Sequence, residues 1–355
     1  MRLLLLSTPV GPIGSGIGGG VELTLRTIAD GLVRRGHRIT VVAPRGSRLP
    51  GHDLVQVDGE LHVPSQTLDR SAPLVVPTNS VLVNMWNQII ELARRGDHDV
   101  VLNFAYDELP FARSTDCPIP VAHLVSMGSL SEAMDTAVRN AVSADARCVA
   151  MHSRAQAATF GVETSERVTI VASGIEVDAY DFIANPDYDI ALVARISREK
   201  GIDDAFAVSA LSGRRLLVFG VMEDEQAWRQ ARERHPTADV VHVGFLPTFE
   251  LQRRLGRCAA LIMVHQWVEA FGNVAIEALA CGVPVITYDR GGPAEIVRHG
   301  ITGFVVPVDQ PAAVATALDA IATIDRRRCR DEVQERFSAD AFAERIERWL
   351  GALVK

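Results

Sequence analysis

The stretch HQWVEAFGNVAIEALACGVPV, residues 265–285, decides the fold. Its middle, Asn273 to Cys281, has the apolar spacing of a helix, with Glu277 in the second turn and Glu269 in the preceding loop. Short apolar runs lie on either side of it, as strands would: Ala260 to Val264 and Pro284 to Tyr288. A strand, a helix and a second strand in this order predict a parallel βαβ unit.

The same alternation runs through the whole chain in two series. The first predicts strands at Leu3 to Ser7, Ile39 to Ala43, Val100 to Phe104, Val121 to Val125, Cys148 to His152 and Val168 to Val171. The second predicts strands at Ile190 to Ala194, Arg215 to Phe219, Val240 to Val243, Ala260 to Val264, Pro284 to Tyr288 and Phe304 to Val306. Each series is typical of a parallel sheet covered by helices on both faces, so we expect an α/β fold with two doubly wound, Rossmann-like domains.

The polar, proline-containing segment NPDYD, residues 185–189, separates the two series as a linker would. We therefore expect an N-terminal domain over residues 1–183 and a C-terminal domain over residues 184–337. Residues 338–355 form a final helix, which Ser338 can cap. Two domains also suit 355 residues, because single cores stop growing at roughly 250 to 300 residues.

Composition excludes several classes of partner. The formal net charge is −8, and neither half has the basic surface that nucleic acid or an anionic membrane attracts. Five widely spaced cysteines fit a reducing compartment better than a disulfide framework, and no apolar run reaches the roughly 18 residues of a membrane span. We expect a cytoplasmic protein without nucleic-acid partners or stable membrane association.

Two positive side chains follow the first strand of the second series. Arg195 and Lys200 stand in ARISREKG, at the carboxyl end of that strand, where doubly wound sheets bind their ligands. A guanidinium and an ammonium together suit a diphosphate. The alternative is an ordinary solvated surface.

The two glutamates of the opening stretch need a different partner. Amides near Phe271, Gly272 and Asn273 would form an anion site at the helix start, yet carboxylates beside a phosphate are costly unless they accept hydrogen bonds from hydroxyl groups. A sugar nucleotide supplies such hydroxyls, so Glu269 and Glu277 favour one. A glycosidase with two catalytic acids is the alternative, although it has no use for a phosphate site.

A glycine-rich loop, GPIGSGIGGG at residues 11–20, contains the G-x-G-x-x-G of dinucleotide sites. Six residues, Thr8 to Ile13, separate the first glycine of this motif, Gly14, from the first strand, and the second strand ends in ITVVAPRG without the acid that would hold an NAD ribose. The sequence therefore argues against NAD. The backbone amides of Gly19 and Gly20, at a helix start, still suit a phosphate.

Together these motifs make the chain similar to the family 4 retaining glycosyltransferases of the GT-B fold. The motifs with matching order are GGGVE at 18–22, SGIEVD at 173–178, the R-x4-K pair Arg195 and Lys200, VGFLP at 243–247, the E-x7-E pair Glu269 and Glu277, ACGVPVI at 280–286 and GGPAEIV at 291–297. The resemblance implies two domains facing a central cleft, with the C-terminal helix packing back on the N-terminal domain.

The resemblance also implies a role for each motif. Arg195 and Lys200 would neutralise the leaving diphosphate, and Glu269 would bind the sugar beside the amides of Phe271, Gly272 and Asn273. Glu277 would bind the ribose. The remaining contacts with the nucleotide sugar, which is the donor substrate, would come from the phosphate-binding and base-binding loops: Gly19, Gly20 and Gly244.

That family's reaction needs no cofactor beyond the nucleotide sugar as co-substrate, and no metal. Two D-x-D triplets, Asp97 to Asp99 and Asp187 to Asp189, resemble the metal motif of other glycosyltransferases. Both precede a predicted strand, at the amino end and away from the ligand edge, so we interpret them as polar strand starts.

The candidate sugar-side and acceptor residues lie in the predicted N-terminal domain. Many family members have a histidine near the sugar where this chain has Ser126, and His123 lies three residues earlier, where it can also be a core histidine. Further candidates are Asn103, Tyr106 and Asp107, with the alternative that the aromatic ring is simply core.

The start of the chain, residues 7–25, resembles enzymes that glucosylate a reduced pteridine, the UDP-glucose:tetrahydrobiopterin glucosyltransferases. This implies UDP-glucose as donor and a small soluble pteridine such as tetrahydrobiopterin as acceptor. The alternatives are another small-molecule or saccharide acceptor for the same chemistry and a non-catalytic protein that binds a nucleotide sugar.

Overall fold

The structure is a computed structural model, and it describes residues 1–16, 20–62, 69–71, 77–163 and 168–354. Its contacts divide the chain into two units. Unit 1 contains residues 1–173 and the C-terminal helix, and unit 2 contains residues 174–338.

Unit 1 contains the strands β1 Arg2–Leu6, β2 Arg38–Pro44, β3 Asp53–Val57, β4 Val100–Asn103, β5 Val121–Leu124, β6 Val149–Met151 and β7 Thr169–Ile170. They form one seven-stranded parallel sheet in the order β3-β2-β1-β4-β5-β6-β7. Its helices are α1 Gly20–Arg34, α2 Val81–Arg94, α3 Glu108–Ala112, α4 Glu132–Asp145, α5 Arg154–Thr159 and the C-terminal α13 Ala339–Val354.

Unit 2 contains the strands β8 Ile190–Val193, β9 Leu216–Phe219, β10 Val240–Gly244, β11 Ala260–Met263, β12 Val285–Tyr288 and β13 Gly303–Val306. They form one six-stranded parallel sheet in the order β10-β9-β8-β11-β12-β13. Its helices are α6 Ile202–Ser212, α7 Glu225–Arg234, α8 Thr248–Leu255, α9 Asn273–Ala280, α10 Gly292–Ile296, α11 Pro311–Asp319 and α12 Arg326–Arg336.

The first strand shows why the unit 1 sheet is covered on two faces. Alternate side chains of a strand point to opposite faces, and in β1 all four leucines are buried. Leu3 and Leu5 pack in one cluster with α1 and α13, while Leu4 and Leu6 pack in another with α2. Each unit contains one parallel sheet with helices between its strands, so the two predicted Rossmann-like domains are confirmed.

The C-terminal helix belongs to unit 1, as the resemblance predicted. Phe342 and Ile346 of α13 are fully buried in the cluster that holds Ile28 and Leu32 of α1. The two helices approach closely at Gly31, where an added Cβ would lie 2.7 Å from the Cβ of Ala343.

The unit boundary falls about ten residues before the linker that the sequence predicted. The amide of Ile175 donates to the carbonyl of Phe337 at 2.9 Å, and the Arg330 guanidinium donates to the carbonyl of Tyr180 at 2.6 Å. These contacts attach the segment from residue 174 onward to unit 2.

Aspartate carboxylates of both D-x-D triplets form ion pairs with arginines. The Arg2 guanidinium donates to Asp99 at 2.6 Å, and Arg215 donates to Asp189 at 2.5 Å. Arg257 forms two hydrogen bonds with Asp187.

We expect the α1–α13 contact to make Gly31→Ala destabilising. Replacing a helical glycine by alanine gains about 1 kcal/mol of helix propensity, but overpacking costs about 1–3 kcal/mol. At Gly351 of α13, an added Cβ would meet no atom of the described residues within 4 Å, so Gly351→Ala is the matched control and should be neutral or stabilising. Urea unfolding of both variants measures the difference. Equal gains in stability would contradict the tight contact at Gly31.

Candidate functional site

The carboxyl edge of the unit 2 sheet brings two loops into close contact. Gly201 has φ 75°, and an added Cβ there would lie 1.8 Å from the carbonyl oxygen of Val264, just after β11. No side chain fits, so only glycine allows this approach. The amide of Gln266 donates to the carbonyl of Glu199 at 2.8 Å and links the same two loops. The turn Arg198–Lys200 therefore lies against the loop that carries Glu269.

Lys200 and Glu269, which the sequence proposed for different parts of one ligand, contact each other. The Lys200 ammonium lies 2.7 Å from Glu269 Oε2, and both side chains are mostly buried. Trp267 completes the group, because its indole Nε1 donates to the same Oε2 at 3.2 Å and the ammonium lies 4.3 Å from its ring centroid.

Arg195 lies on the other side of the turn, between two carboxylates. Its guanidinium donates to Glu223 at 2.5 Å and reaches Glu199 at 3.5 Å. The side chain stays about one-third exposed, so it remains accessible to an incoming anion.

The start of α9 has backbone donors that no side chain of the described residues caps. Gly272, with φ 93°, precedes the helix. The loop at Gly292 supports this start, since its amide donates to the carbonyl of Glu269 at 2.8 Å. Asn273 Oδ1 is buried without a hydrogen-bond partner among the described residues. An uncapped helix start of this kind binds anions and hydroxyl oxygens.

Glu277 projects from the second turn of α9, as the sequence predicted for a helix at this position. Across the described residues its carboxylate has no hydrogen bond or ion pair, and burial raises its pKa to about 7. The neighbouring phenol of Tyr180 has its pKa raised by burial and by the Glu277 carboxylate. A carboxylate left in this state can accept two hydrogen bonds from a diol.

His265 belongs to the framework behind these residues. It is buried, its Nε2 donates to the carbonyl of Arg290 at 3.0 Å, and burial lowers its pKa. Arg290 in turn donates to the carbonyl of His265 at 3.0 Å and to both carboxylate oxygens of Asp309. A neutral imidazole therefore fixes the loop before Trp267.

Gly244 ends β10 with φ 91°, and its carbonyl accepts a hydrogen bond from the amide of Gly220 at 3.0 Å. Phe245 follows with 72% of its surface exposed. Phe271 is buried and packs edge-on against Phe337 at 5.9 Å, so its contribution to a ligand site is restricted to its backbone.

The glycine-rich loop of unit 1 uses its first amides internally. The Glu22 carboxylate of α1 accepts from the amides of Gly14 at 2.7 Å and Gly16 at 3.4 Å. The amides of these two glycines therefore donate to a side chain of the protein itself. Gly20 is exposed at the first residue of α1, and Gly19 lies outside the described residues.

The candidate sugar-side histidine is part of the unit 1 core. His123 is 1% exposed, stacks on Phe111 at 3.9 Å and accepts a hydrogen bond from Asn103 at Nδ1 over 3.1 Å. Its Nε2 bonds to Ser114 Oγ at 3.0 Å. Burial lowers its pKa to about 3, so the ring is neutral. These contacts favour the core alternative for His123, and its partner Asn103 is equally buried.

Two further acceptor candidates bond within unit 1. The Tyr106 hydroxyl donates to the carbonyl of Gly128 at 2.6 Å, and Asp107 caps α3 through the amide of Leu109. Ser126 is partly exposed. Gln156, which the sequence did not single out, donates to the carbonyls of Val125 and Met127 and so fixes the backbone on both sides of Ser126.

No group of three or more His, Cys, Asp or Glu side chains within the described ranges is arranged to hold a metal ion. None of the helices that the structure describes is long and apolar enough to cross a membrane.

Solved structures share this architecture over the full chain. Sucrose-phosphate synthase from Thermosynechococcus elongatus superposes with a TM-score of 0.76 at 19% identity, covering 99% of each chain. HepE from Anabaena, solved in complex with UDP-glucose, gives a TM-score of 0.72 at 18% identity and covers 99% of this chain and 100% of its own. The fold is GT-B, with two parallel-sheet, Rossmann-like domains.

Family models cover both units. The model "Glycosyltransferase Family 4" matches residues 18–179, and "Glycosyl transferases group 1" matches residues 181–341. The chain belongs to the glycosyltransferases of this group 1 and family 4 type.

Curated relatives match parts of the chain. Glycogen synthase from Mycobacterium tuberculosis strain H37Rv is 33% identical over 183 residues, 47% of this chain and 44% of its own. D-inositol 3-phosphate glycosyltransferase from Rhodococcus erythropolis is 41% identical over 87 residues, 24% of this chain and 20% of its own. The matches span less than half the length of these relatives.

We expect Glu277 to make stability depend on pH. Its pKa in the folded protein is about 7 against an ordinary 4.5, so the folded protein retains a proton that the unfolded chain releases between these values. The stabilisation is complete below about pH 4.5 and is lost as the pH rises through about 7.

Glu277→Gln should therefore unfold with a smaller pH dependence between about pH 5 and about pH 8. Thermal unfolding at both pH values measures it. Glu233→Gln, in the exposed part of α7, is the control and should follow the wild type. A wild-type slope that persists in Glu277→Gln would contradict the raised pKa.

Proposed function

We propose that the protein is a retaining hexosyltransferase that moves a hexose from a UDP-sugar, UDP-glucose first, to a small soluble acceptor. The observation that carries this proposal is the contact between Lys200 and Glu269 beside the uncapped start of α9. A cation for phosphate, a carboxylate for hydroxyls and backbone amides at a helix start lie together at the ligand edge of one sheet.

The diphosphate would bind to Lys200 and Arg195. Both are already paired with carboxylates, so the incoming diphosphate would replace Glu269 at Lys200 and compete with Glu199 and Glu223 at Arg195. Glu269, once released from the ammonium, would accept hydrogen bonds from hydroxyls of the sugar. Lys200 would thereby exchange one anionic partner for another, and Glu269 would exchange the ammonium for hydrogen bonds from hydroxyls.

The rest of the donor would extend along unit 2. Amides at Gly272 and Asn273 would meet sugar hydroxyls, and the Glu277 carboxylate, partnerless among the described residues, would bind the ribose diol. Gly244 and the exposed backbone after it would meet the base. HepE, whose fold this chain shares, was solved with UDP-glucose, which supports UDP-glucose as the first donor to test.

The chemistry would be a front-face substitution at the anomeric carbon. The bond from that carbon to the diphosphate oxygen breaks, the acceptor oxygen bonds on the same face, and the acceptor proton passes to the departing diphosphate. Fixed positive charge would stabilise the oxygen that becomes more negative, which is the main catalytic contribution. We propose that Lys200 and Arg195 supply this charge without a metal ion.

The acceptor would bind to unit 1. Asn103, Tyr106, Asp107 and His123 bond to partners within unit 1, which leaves Ser126 as the partly exposed candidate. Tetrahydrobiopterin is proposed from the resemblance of residues 7–25 alone. A different small molecule or a saccharide is the alternative acceptor, and a non-catalytic nucleotide-sugar binder is the alternative function. Gly19 and Gly20 stay predicted phosphate contacts.

We expect Lys200→Ala and Arg195→Ala to lower kcat about 100-fold, because each cation meets charge that grows in the transition state. Donor affinity should fall much less. Steady-state kinetics and calorimetry with UDP-glucose separate the two effects. Arg215→Ala removes an arginine at the opposite, amino edge of the sheet and is the matched control. A normal kcat in Lys200→Ala would remove the leaving-group role.

The function itself is tested by incubating the protein with UDP-glucose and EDTA, with and without tetrahydrobiopterin, and following UDP release and products by mass spectrometry. We expect UDP release that depends on the pterin and a pterin heavier by one hexose. UDP release at the same rate with and without the pterin would reject this acceptor. UDP release that EDTA abolishes would contradict metal independence, and no UDP binding at all would contradict the proposal.

A further inference from the structure

Trp267 lies between the two charged groups that the proposed function uses. It follows the buried His265 in the loop after β11 and is itself partly buried. Its indole Nε1 donates to Glu269 Oε2 at 3.2 Å, while the Lys200 ammonium lies 4.3 Å from the ring centroid. One side chain therefore contacts both partners of the ion pair.

These two contacts have different physical consequences. The negative face of an indole ring attracts a cation, and this attraction strengthens as water is excluded. A lysine has a flexible four-carbon stem, so its ammonium is held in place only by what surrounds it. When an incoming diphosphate displaces Glu269 from Lys200, the ring remains the contact that limits where the ammonium can go.

The indole N–H acts on the other partner. Glu269 Oε2 accepts from both the Lys200 ammonium and Trp267 Nε1, so the carboxylate keeps one protein donor after the ammonium leaves. That remaining bond orients the second oxygen for a hydroxyl of the sugar. The loop behind Trp267 is fixed by the reciprocal contacts of His265 and Arg290, which makes the indole a rigid support.

We propose that Trp267 is a positioning residue for the transfer reaction, which holds the Lys200 ammonium at the leaving diphosphate and orients the Glu269 carboxylate. The inference rests on the proposed function of this site. It assigns the ring face to Lys200 and the ring N–H to Glu269.

Two substitutions separate the two contacts. Trp267→Leu removes both the ring and the N–H. It should lower kcat for UDP-glucose turnover about tenfold, because a partly desolvated cation–π contact is lost. The affinity for UDP-glucose should change about twofold or less. Trp267→Phe keeps a ring face without the N–H, so it should recover most but not all of kcat, and the remaining loss measures the missing bond to Glu269. Val268→Ala, at the exposed neighbouring residue, should behave as wild type.

A double mutant distinguishes positioning from a structural role. If Trp267 acts through Lys200, adding Trp267→Leu to Lys200→Ala should lower kcat little further, because coupled residues are not additive. A full additional tenfold loss in the double mutant would overturn the proposal, as would a normal kcat in Trp267→Leu.

A second readout does not depend on turnover. Lys200 is the single lysine of the chain apart from Lys355, so amine acylation at this position can be followed by peptide mass spectrometry. Trp267→Leu should increase the labelling rate of Lys200, whereas Val268→Ala should leave it unchanged. Equal labelling in all three proteins would reject the contact with the ammonium.

The two proposals fail in different ways. Normal kcat in Lys200→Ala would reject the function proposed for the site, whatever Trp267 does. A low kcat in Lys200→Ala together with wild-type kinetics and labelling in Trp267→Leu would reject only the positioning role. Thermal unfolding of each variant shows whether a loss of activity comes from a loss of folded protein.

Discussion

The site in unit 2 depends on the close approach of two backbone segments at the sheet edge. Gly201 lies so near the carbonyl of Val264 that a side chain would occupy the same space. Because the approach fixes the turn before α6 against the loop after β11, Lys200 reaches Glu269 across 69 residues of sequence. The chemistry of the site is therefore set by a packing constraint in the backbone.

The electrostatics of the site follow from this arrangement. Lys200 and Arg195, the two cations proposed to bind the diphosphate, are each paired with carboxylates. Glu277 behaves differently, since its carboxylate has no partner among the described residues and its pKa is raised by burial. A ligand with both a diphosphate and hydroxyl groups could bind the two cations through the diphosphate and the Glu277 carboxylate through the hydroxyls.

The sequence predicted the fold well because buried parallel strands are continuous apolar runs between turn residues. All twelve predicted strands are present within about two residues, but β3, Asp53–Val57, was missed because it is a half-exposed strand at the edge of the sheet. The placement of Arg195 and Lys200 after β8 also followed from the pattern, as did Glu269 in the loop before α9 and Glu277 within that helix. The role of Trp267 did not, because its contacts join loops distant in sequence. The sequence left the role of His123 open, because its burial depends on a ring and a hydroxyl from α3 and the turn that follows it.

The most direct measurement of the central claim is a crystal structure of the wild-type protein with UDP. The account predicts a diphosphate oxygen within about 3 Å of the Lys200 ammonium, with Lys200 separated from Glu269 and the ribose hydroxyls bonded to Glu277. A diphosphate bound elsewhere, with the Lys200–Glu269 pair intact, would contradict it.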